Sequence, residues 1–390
     1  MDFELTAEQE LMRDAAQRMV QREILPRLSA NDRTRALPKP VFLEIFAAVG
    51  RLGLLAPRLP EAAGGAGVTM LDYGIMFEQI PPAVSMSTLS QDVCIARIFA
   101  EANDAQRARF LPDLIAGRKI GCTGSTEPDT GSDPRGIKTR ITQDGDMLVL
   151  NGRKMWITNV SQCDTMIVTC LDGRGGSGAG RIVKVIVDRG QSPFEAREID
   201  AIGLHQGLLG EAVFDNCRVP AANLVESAHG GTQVLKTSWH VNRPLVGLQA
   251  VHLADKALAM AIEYAKVRKA FGKVLAGHQL IQERLSDIAT AITASRLLCY
   301  RALSLVDRAR PADGAAAMAK RYAQNACGDA VWQAMNVLGA MGLSREAGIE
   351  ELYRDIRMLP IPDGTNEILA LIHGRELTGV EAFRGLAGKA

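Results

Sequence analysis

The chain has 390 residues, with 45 Lys and Arg against 44 Asp and Glu, a formal net charge of +1. That length predicts two or three domains, and the even charge gives no electrostatic case for binding nucleic acid. Hydrophobic residues at 47% and charged residues at 23% exclude wholesale disorder.

Seven cysteines (Cys94, Cys122, Cys163, Cys170, Cys217, Cys299, Cys327) form no Cys-x-x-Cys pair. Neither a disulfide framework nor a metal site is expected. No run reaches 18 apolar residues, so no membrane-spanning helix is expected. The start Met1-Asp2-Phe3-Glu4-Leu5 carries acids where a signal peptide carries bases, so a cytoplasmic location is expected.

Residues 1–118 read as a helical domain. Thr6-Ala7-Glu8-Gln9 is a capping box, and Leu11, Ala15 and Met19, then Phe42, Ile45, Phe46 and Val49, recur at helical spacing. The glycine-rich piece Ala63-Gly64-Gly65-Ala66-Gly67 separates these from a helix beginning near Leu71, and Pro81-Pro82 precedes another apolar helix. Over 119–232 the pattern changes to short β-branched runs, Met147-Leu148-Val149-Leu150, Thr165-Met166-Ile167-Val168-Thr169 and Ile182-Val183-Lys184-Val185-Ile186-Val187. Asp144-Gly145 and Asn151-Gly152 read as turns between them, which predicts an antiparallel β domain. The stretch Asp172-Gly173-Arg174-Gly175-Gly176-Ser177-Gly178-Ala179-Gly180 reads as a hairpin loop. Over 233–390 the helical period returns. Leu245, Leu248, Val251, Leu258, Ile262 and Ala265 trace one stripe, and 279–306 and 312–338 give two more long helices. Ala-rich helices of about 25 residues suit a four-helix bundle. The expected architecture is α+β and multidomain, in the order α, β, α.

Four segments carry chemistry. Thr126-Glu127-Pro128-Asp129-Thr130-Gly131-Ser132-Asp133 is dense in hydroxyls and carboxylates. Asn151-Gly152-Arg153-Lys154-Met155-Trp156-Ile157-Thr158-Asn159 ends in an aromatic and a hydroxyl on one strand. Arg268-Lys269-Ala270-Phe271-Gly272-Lys273 precedes His278-Gln279-Leu280-Ile281-Gln282. Ile361-Pro362-Asp363-Gly364-Thr365-Asn366-Glu367-Ile368 feeds a helix N-terminus, whose free amides can receive an anion. Each alone also reads as an ordinary loop, strand edge, helix stop or N-cap.

Together, and with Phe214-Asp215-Asn216-Cys217-Arg218-Val219-Pro220, these segments resemble the acyl-CoA dehydrogenase family along nearly the whole chain. The tail Leu371-Ile372-His373-Gly374-Arg375-Glu376-Leu377-Thr378-Gly379 is most similar to the glutaryl-CoA dehydrogenase branch. The resemblance implies FAD, with Thr123, Ser125, Thr126, Gly131 and Ser132 lining the flavin from one loop and Trp156, Ile157 and Thr158 from another. It implies that Arg268, Phe271, Gln279 and Asn336 reach a neighbouring subunit's FAD, hence a homo-oligomer, usually a tetramer. Thr365 and Glu367 fall at further cofactor positions, and Ser132, Met86, Thr88, Leu89, Arg243 and Gly364 at substrate positions. The implied reaction is α,β-dehydrogenation of an acyl thioester, on CoA or an acyl-carrier protein, with electrons passing to an acceptor such as an electron-transfer flavoprotein.

Two residues depart from the family pattern. The base position, usually Glu, is Asp363, which shortens the reach by about 1.5 Å. The glutaryl branch's substrate arginine would fall in Val84-Ser85-Met86-Ser87-Thr88, which has none, so the tail does not imply glutaryl activity. Gln91 and Asp92 join the candidate pocket lining, Asp92 as an alternative acid. His240-Val241-Asn242-Arg243, where some branches carry the base, offers no carboxylate. Two readings stay open beside the dehydrogenase. Nitroalkane-oxidase-like flavoproteins share the Asp but pair it with an Arg where Ala370 stands here, and an idle FAD-binding member is allowed by the same change.

Overall fold

The computed structural model describes residues 3–133, 136–174, 180–225 and 232–382. The N-terminal region is helical: α1 (Ala7–Met19), α2 (Leu25–Ser29), α3 (Lys39–Gly50), α4 (Met70–Phe77), α5 (Pro82–Glu101) and α6 (Asp104–Ile115). The Thr6 capping box forms, with the hydroxyl accepting from the Gln9 amide at 3.2 Å and the Gln9 side chain accepting from the Thr6 amide at 3.1 Å. The buried stripe of α1 is not the one expected. Ala16, Val20 and Ile24 are buried, while Leu11 is 66% exposed. A π-helical turn over Val20–Ile24 joins α1 to α2, and packing against α3 and α4 selects the buried face.

The middle region is a sheet of β1 (Gly121–Gly124), β2 (Arg140–Asp144), β3 (Met147–Thr158), β4 (Thr165–Asp172), β5 (Ile182–Asp188), β6 (Glu195–Glu198), β7 (Leu209–Pro220) and β8 (Leu224–Val225). Its order is β6-β7-β3-β2-β4-β5-β8, with β1 also on β4. The expectation of a purely antiparallel sheet is corrected. β1 and β2 both run parallel to β4, with Thr123 opposite Ile167 and Arg140 opposite Leu171. They are successive stretches along one side of β4, interrupted by the excursion 125–139, so both run in the same direction. That excursion carries the hydroxyl-rich segment.

Asp144-Gly145 is a turn as read, with Gly145 at φ +62° and Asp144 opposite Met147. Asn151-Gly152 is not a turn. It lies inside β3 at a bulge, with Gly152 at φ +146°, and a Cβ there would sit 2.6 Å from the Thr139 Cα. β4 and β5 form a hairpin with Leu171 opposite Ile182; Gly175, Gly176, Ser177, Gly178 and Ala179 lie outside the described residues.

The C-terminal region has three long helices, α7 (Thr232–Val267), α8 (Gln279–Asp307) and α9 (Asp313–Leu338). Between α7 and α8 lies a small hairpin, β9 (Lys269–Ala270) and β10 (Lys273–Val274). Among the described residues no fourth long helix follows. Two shorter ones, α10 (Ile349–Met358) and α11 (Asn366–Thr378), pack on α9, and the break between them is the turn carrying Asp363. Ser238–Val267 of α7 is long and apolar enough to cross a membrane, against the expectation from apolar runs. Its apolar faces are used inside the fold, with Leu245, Leu248, Val251, Ala257 and Ala261 buried against α5, α8 and α9. α5 packs on both β1 and α7, so strand ends, α5 and the bundle meet in one place.

Candidate functional site

The hydroxyl loop is held by a buried ion pair. Glu127 accepts from Lys154 Nζ at 2.8 Å and from the Thr139 and Lys138 amides at 3.0 and 2.7 Å. Lys154 Nζ also donates to the Ser125 carbonyl at 3.0 Å. Lys154 is fully buried and Glu127 is 5% exposed. Burial raises the Glu127 carboxyl, and hydrogen bonds from Lys154, Thr139 and Lys138 outweigh it, leaving it below the ordinary range. Burial pulls the Lys154 ammonium down against the same partner. The loop's hydroxyls are presented from this clamp. Ser125 shares a hydrogen bond with Thr169 at 3.1 Å, the Thr126 carbonyl accepts from the Met155 amide at 3.0 Å, and Thr123 is half-buried. Gly131 and Ser132 sit exposed farther along the loop.

The end of β3 supplies an aromatic wall. The β3–β7 register slips between Lys154 and Ile157, and Trp156 takes φ +60°, which turns its ring outward to 52% exposure. Ile157 is buried, so only its backbone can meet a ligand, while Thr158 is half-buried. The Thr158 carbonyl accepts from Ser90 Oγ of α5 at 3.2 Å. Asn159 Nδ2 donates to the carbonyls of Ser87 and Gly121 at 2.9 and 3.1 Å, tying α5 to β1.

On α5, Met86 is half-buried, whereas Thr88 and Leu89 are buried and the Thr88 hydroxyl is spent on the Val84 carbonyl at 3.0 Å. Gln91 does not line a pocket. Its amide donates to the Leu114 and Lys119 carbonyls and accepts from the Gly121 amide, a brace between α6 and β1. Asp92 is no free acid either. It is fully buried, takes Arg58 Nε at 2.7 Å, and Arg58 Nη2 reaches Asn242 at 2.6 Å. Burial pushes the Asp92 carboxyl up to about 6 against the pull of Arg58.

Asp363 sits at φ +55° and Gly364 at φ +105°, a left-handed pair that Asp tolerates and Gly favours. The Thr365 hydroxyl caps α11 by accepting from the Ile368 amide at 3.4 Å, and Glu367 is exposed in that helix's first turn. Two buried cations grip the turn's main chain. Arg243 Nε donates to the Asp363 carbonyl at 3.3 Å, and Lys320 Nζ to the Gly364 and Pro360 carbonyls at 2.7 and 3.4 Å. Arg243 also pairs with Asp313 at 2.7 Å. Its guanidinium is therefore engaged with the turn and with Asp313. The Asp363 carboxylate itself makes no hydrogen bond or ion pair among the described residues.

Burial takes the Lys320 ammonium down to about 7, with Asp363 opposing and Arg243 adding to the fall. Folding therefore releases a proton between about pH 7 and the ordinary lysine range near 10.4, so stability rises with pH across that window. Lys320→Met removes this dependence. The melting temperature of the parent minus that of Lys320→Met should increase from pH 6.5 to pH 9.5; a flat difference in thermal scans would refute the assignment.

Three family models match in chain order: the acyl-CoA dehydrogenase N-terminal domain over residues 6–118, middle domain over 122–217 and C-terminal domain over 229–378. A probable acyl-CoA dehydrogenase of Bacillus subtilis, YngJ, is 32% identical over 387 residues, covering 97% of this chain and all of its own. The chain belongs to the acyl-CoA dehydrogenase family. It is an oxidoreductase of the class acting on CH–CH groups. Butyryl-CoA dehydrogenase from Megasphaera elsdenii superposes at TM-score 0.88 with 30% identity, over 97% of this chain and all of that one. A glutaryl-CoA dehydrogenase from Mycobacterium smegmatis in complex with FADH2 superposes at 0.88 with 27% identity, over 97% of each chain. Acyl-CoA dehydrogenases are flavoproteins, and the residues here fit a flavin. A turned-out Trp156 lies on β3 between Met155, whose amide bonds the Thr126 carbonyl of the hydroxyl loop, and Thr158, whose carbonyl accepts from Ser90 of α5.

As an acyl-CoA dehydrogenase chain, this one does not bring all its family-matched residues together. Arg243 and Val267 are 24 residues apart on α7, about 36 Å at 1.5 Å per residue. Arg268, Phe271 and Gln279 follow that far end and are exposed, Phe271 to 97%, at a hairpin turn where Phe271 and Gly272 both have positive φ. Asn336, on α9, is exposed as well. Sequence reasoning missed Arg58, Lys320 and the Glu127–Lys154 clamp. Lys320 had a signal: it is a lone cation among Ala316, Ala317, Ala319 and Ala323 on an apolar face. Arg58, in a proline-flanked loop, had none.

Proposed function

We propose that the chain binds FAD and oxidises an acyl thioester across Cα–Cβ, with Asp363 as the base that takes the α-proton. The observation that carries this is the Asp363 turn. Its main chain is clamped by Arg243 and Lys320 while its carboxylate has no hydrogen-bond or ion-pair partner among the described residues. Rigid backbone with a free side chain is what a general base needs, because proton abstraction depends on aim as well as basicity. FAD, when bound, supplies the hydride acceptor. The thioester is carried by CoA or by a carrier protein, and the electrons leave through an acceptor such as an electron-transfer flavoprotein.

The exposed Arg268, Phe271, Gln279 and Asn336 support a homotetramer in which each chain completes a neighbour's FAD site; the location proposed for it is the cytoplasm. A guanidinium on pyrophosphate makes charge-assisted bonds of roughly 1.5–3 kcal/mol. Arg268→Ala should therefore lower FAD retention on gel filtration at least tenfold while its thermal unfolding stays near that of the apo parent. A sedimenting monomer that holds FAD tightly would contradict the shared site.

Anaerobic mixing with a panel of acyl-CoA thioesters tests the reaction. Bleaching of the flavin by at least one thioester is expected. Oxygen consumption with nitroethane and no bleaching would favour the nitroalkane-oxidase reading, and neither signal would leave an idle flavin-binding chain.

A further inference from the structure

The turn that presents Asp363 opens directly into α11, and α11 packs on α9. Asp313 is the first residue of α9 and gathers basic side chains from two other helices. Its Oδ1 accepts from Arg243 Nη1 of α7 at 2.7 Å, and its Oδ2 from Arg375 Nη2 of α11 at 3.1 Å. His240 Nε2 stands 3.7 Å from Oδ1. Beside it the Gly314 amide donates to Glu376 Oε2 at 2.7 Å, so α11 reaches the start of α9 twice.

These contacts close a ring around the turn. It runs from the Asp363 carbonyl to Arg243, then to Asp313, then to Arg375 and back along α11. Arg243 is the buried member, with a side chain 3% exposed, and a buried guanidinium without a carboxylate is costly. Burial loosens its hold on its proton, and the acids that restore it are Asp313 and then Asp363. Its Nε already lies on the main chain of Asp363, whose carboxylate has no hydrogen-bond or ion-pair partner among the described residues. Without Asp313, the carboxylate left to Arg243 is that of Asp363, and a guanidinium fork on it would tie up its oxygens. Burial pulls the His240 imidazole below its ordinary value, with Asp313 opposing and Arg243 adding to the fall, so it is neutral at neutral pH and does not compete for Asp313.

We propose that Asp313 is a positioning residue for the reaction: it holds Arg243 on the main chain of the Asp363 turn and off the Asp363 carboxylate, and so keeps that carboxylate free for the α-proton. This rests on the dehydrogenase reading above.

The test compares Asp313→Asn with Glu376→Gln by stopped-flow bleaching of the FAD-loaded protein over a range of thioester concentrations. Each substitution removes one negative charge at the same helix end, but only the first lies on the ring. In Asp313→Asn the limiting bleaching rate per bound flavin should fall by about tenfold or more, while the half-saturating thioester concentration stays within about twofold of the parent's. Asp313→Glu restores the charge and should recover part of the rate. Glu376→Gln should bleach as the parent does. Lys320 still grips the turn in all three, so each should fold and keep its flavin. A parent-like limiting rate in Asp313→Asn would overturn the inference, and so would an equal loss in Glu376→Gln. A raised half-saturating concentration with an unchanged limiting rate would assign Asp313 to substrate binding and overturn it too. In each of these cases the dehydrogenase reading stands. Failure of every thioester to bleach the parent's flavin would remove both.

Discussion

Asp363→Asn should fold, keep its flavin and bind thioester, yet lose flavin reduction by several orders of magnitude. Asn matches Asp in size and tolerates the φ of +55° at this turn, so the grip of Arg243 and Lys320 on the backbone is preserved. What is lost is a group able to accept the α-proton. General-base contributions are typically about 10²–10⁴ in rate, and the alternatives weighed from the sequence do not substitute. Asp92 is locked to Arg58, and position 242 is an Asn that is itself bonded by Arg58. Asp363→Glu, which extends the reach by about 1.5 Å, should retain activity. Stopped-flow bleaching with the best thioester decides this; an Asp363→Asn enzyme as fast as its parent would place the base elsewhere.

Lys154→Met should be the most damaging change outside that turn. It strands Glu127, which is 5% exposed, and frees the Ser125 carbonyl at the start of the hydroxyl loop. Breaking one half of a buried pair costs roughly 3–5 kcal/mol. The melting temperature should fall by many degrees, and the purified protein should carry far less flavin, because Ser125 and Thr126 lose their anchor. Glu127→Gln keeps one carbonyl oxygen to accept from Lys154 and the Thr139 amide, loses the bond from the Lys138 amide, and should be milder. The Glu127 carboxyl is held low in the folded state. Its stabilisation is present above the ordinary carboxylate range and lost as pH falls through its depressed folded value. Acid unfolding of the parent should therefore be steeper than that of Glu127→Gln. A Lys154→Met protein that melts with its parent and stays fully yellow would show that the clamp does not matter.

The sequence by itself determined the order of helical, sheet and helical regions, because hydrophobic patterning is a local property: a repeat of three or four residues in α3 and α7, short continuous β-branched runs in β4 and β5. It also determined the chemical character of the site segments, since Thr126, Trp156, Asp363 and Arg268 stand in a recognisable order. It did not determine which residue in each segment faces a ligand. The Asn151-Gly152 pair has turn chemistry, yet Thr139, just before β2, passes so close that only a bulged Gly fits there. Gln91 and Asp92 have the polarity of pocket residues, but their partners, Leu114, Gly121 and Arg58, are at least 23 positions away and appear only once α5 lies on β1. The same holds for Lys320 on the Asp363 turn, 44 positions from Gly364. Polar side chains far apart in sequence are assigned by burial, where each donor must find an acceptor, and burial is set by the packing of whole elements rather than by the residues near them in the chain.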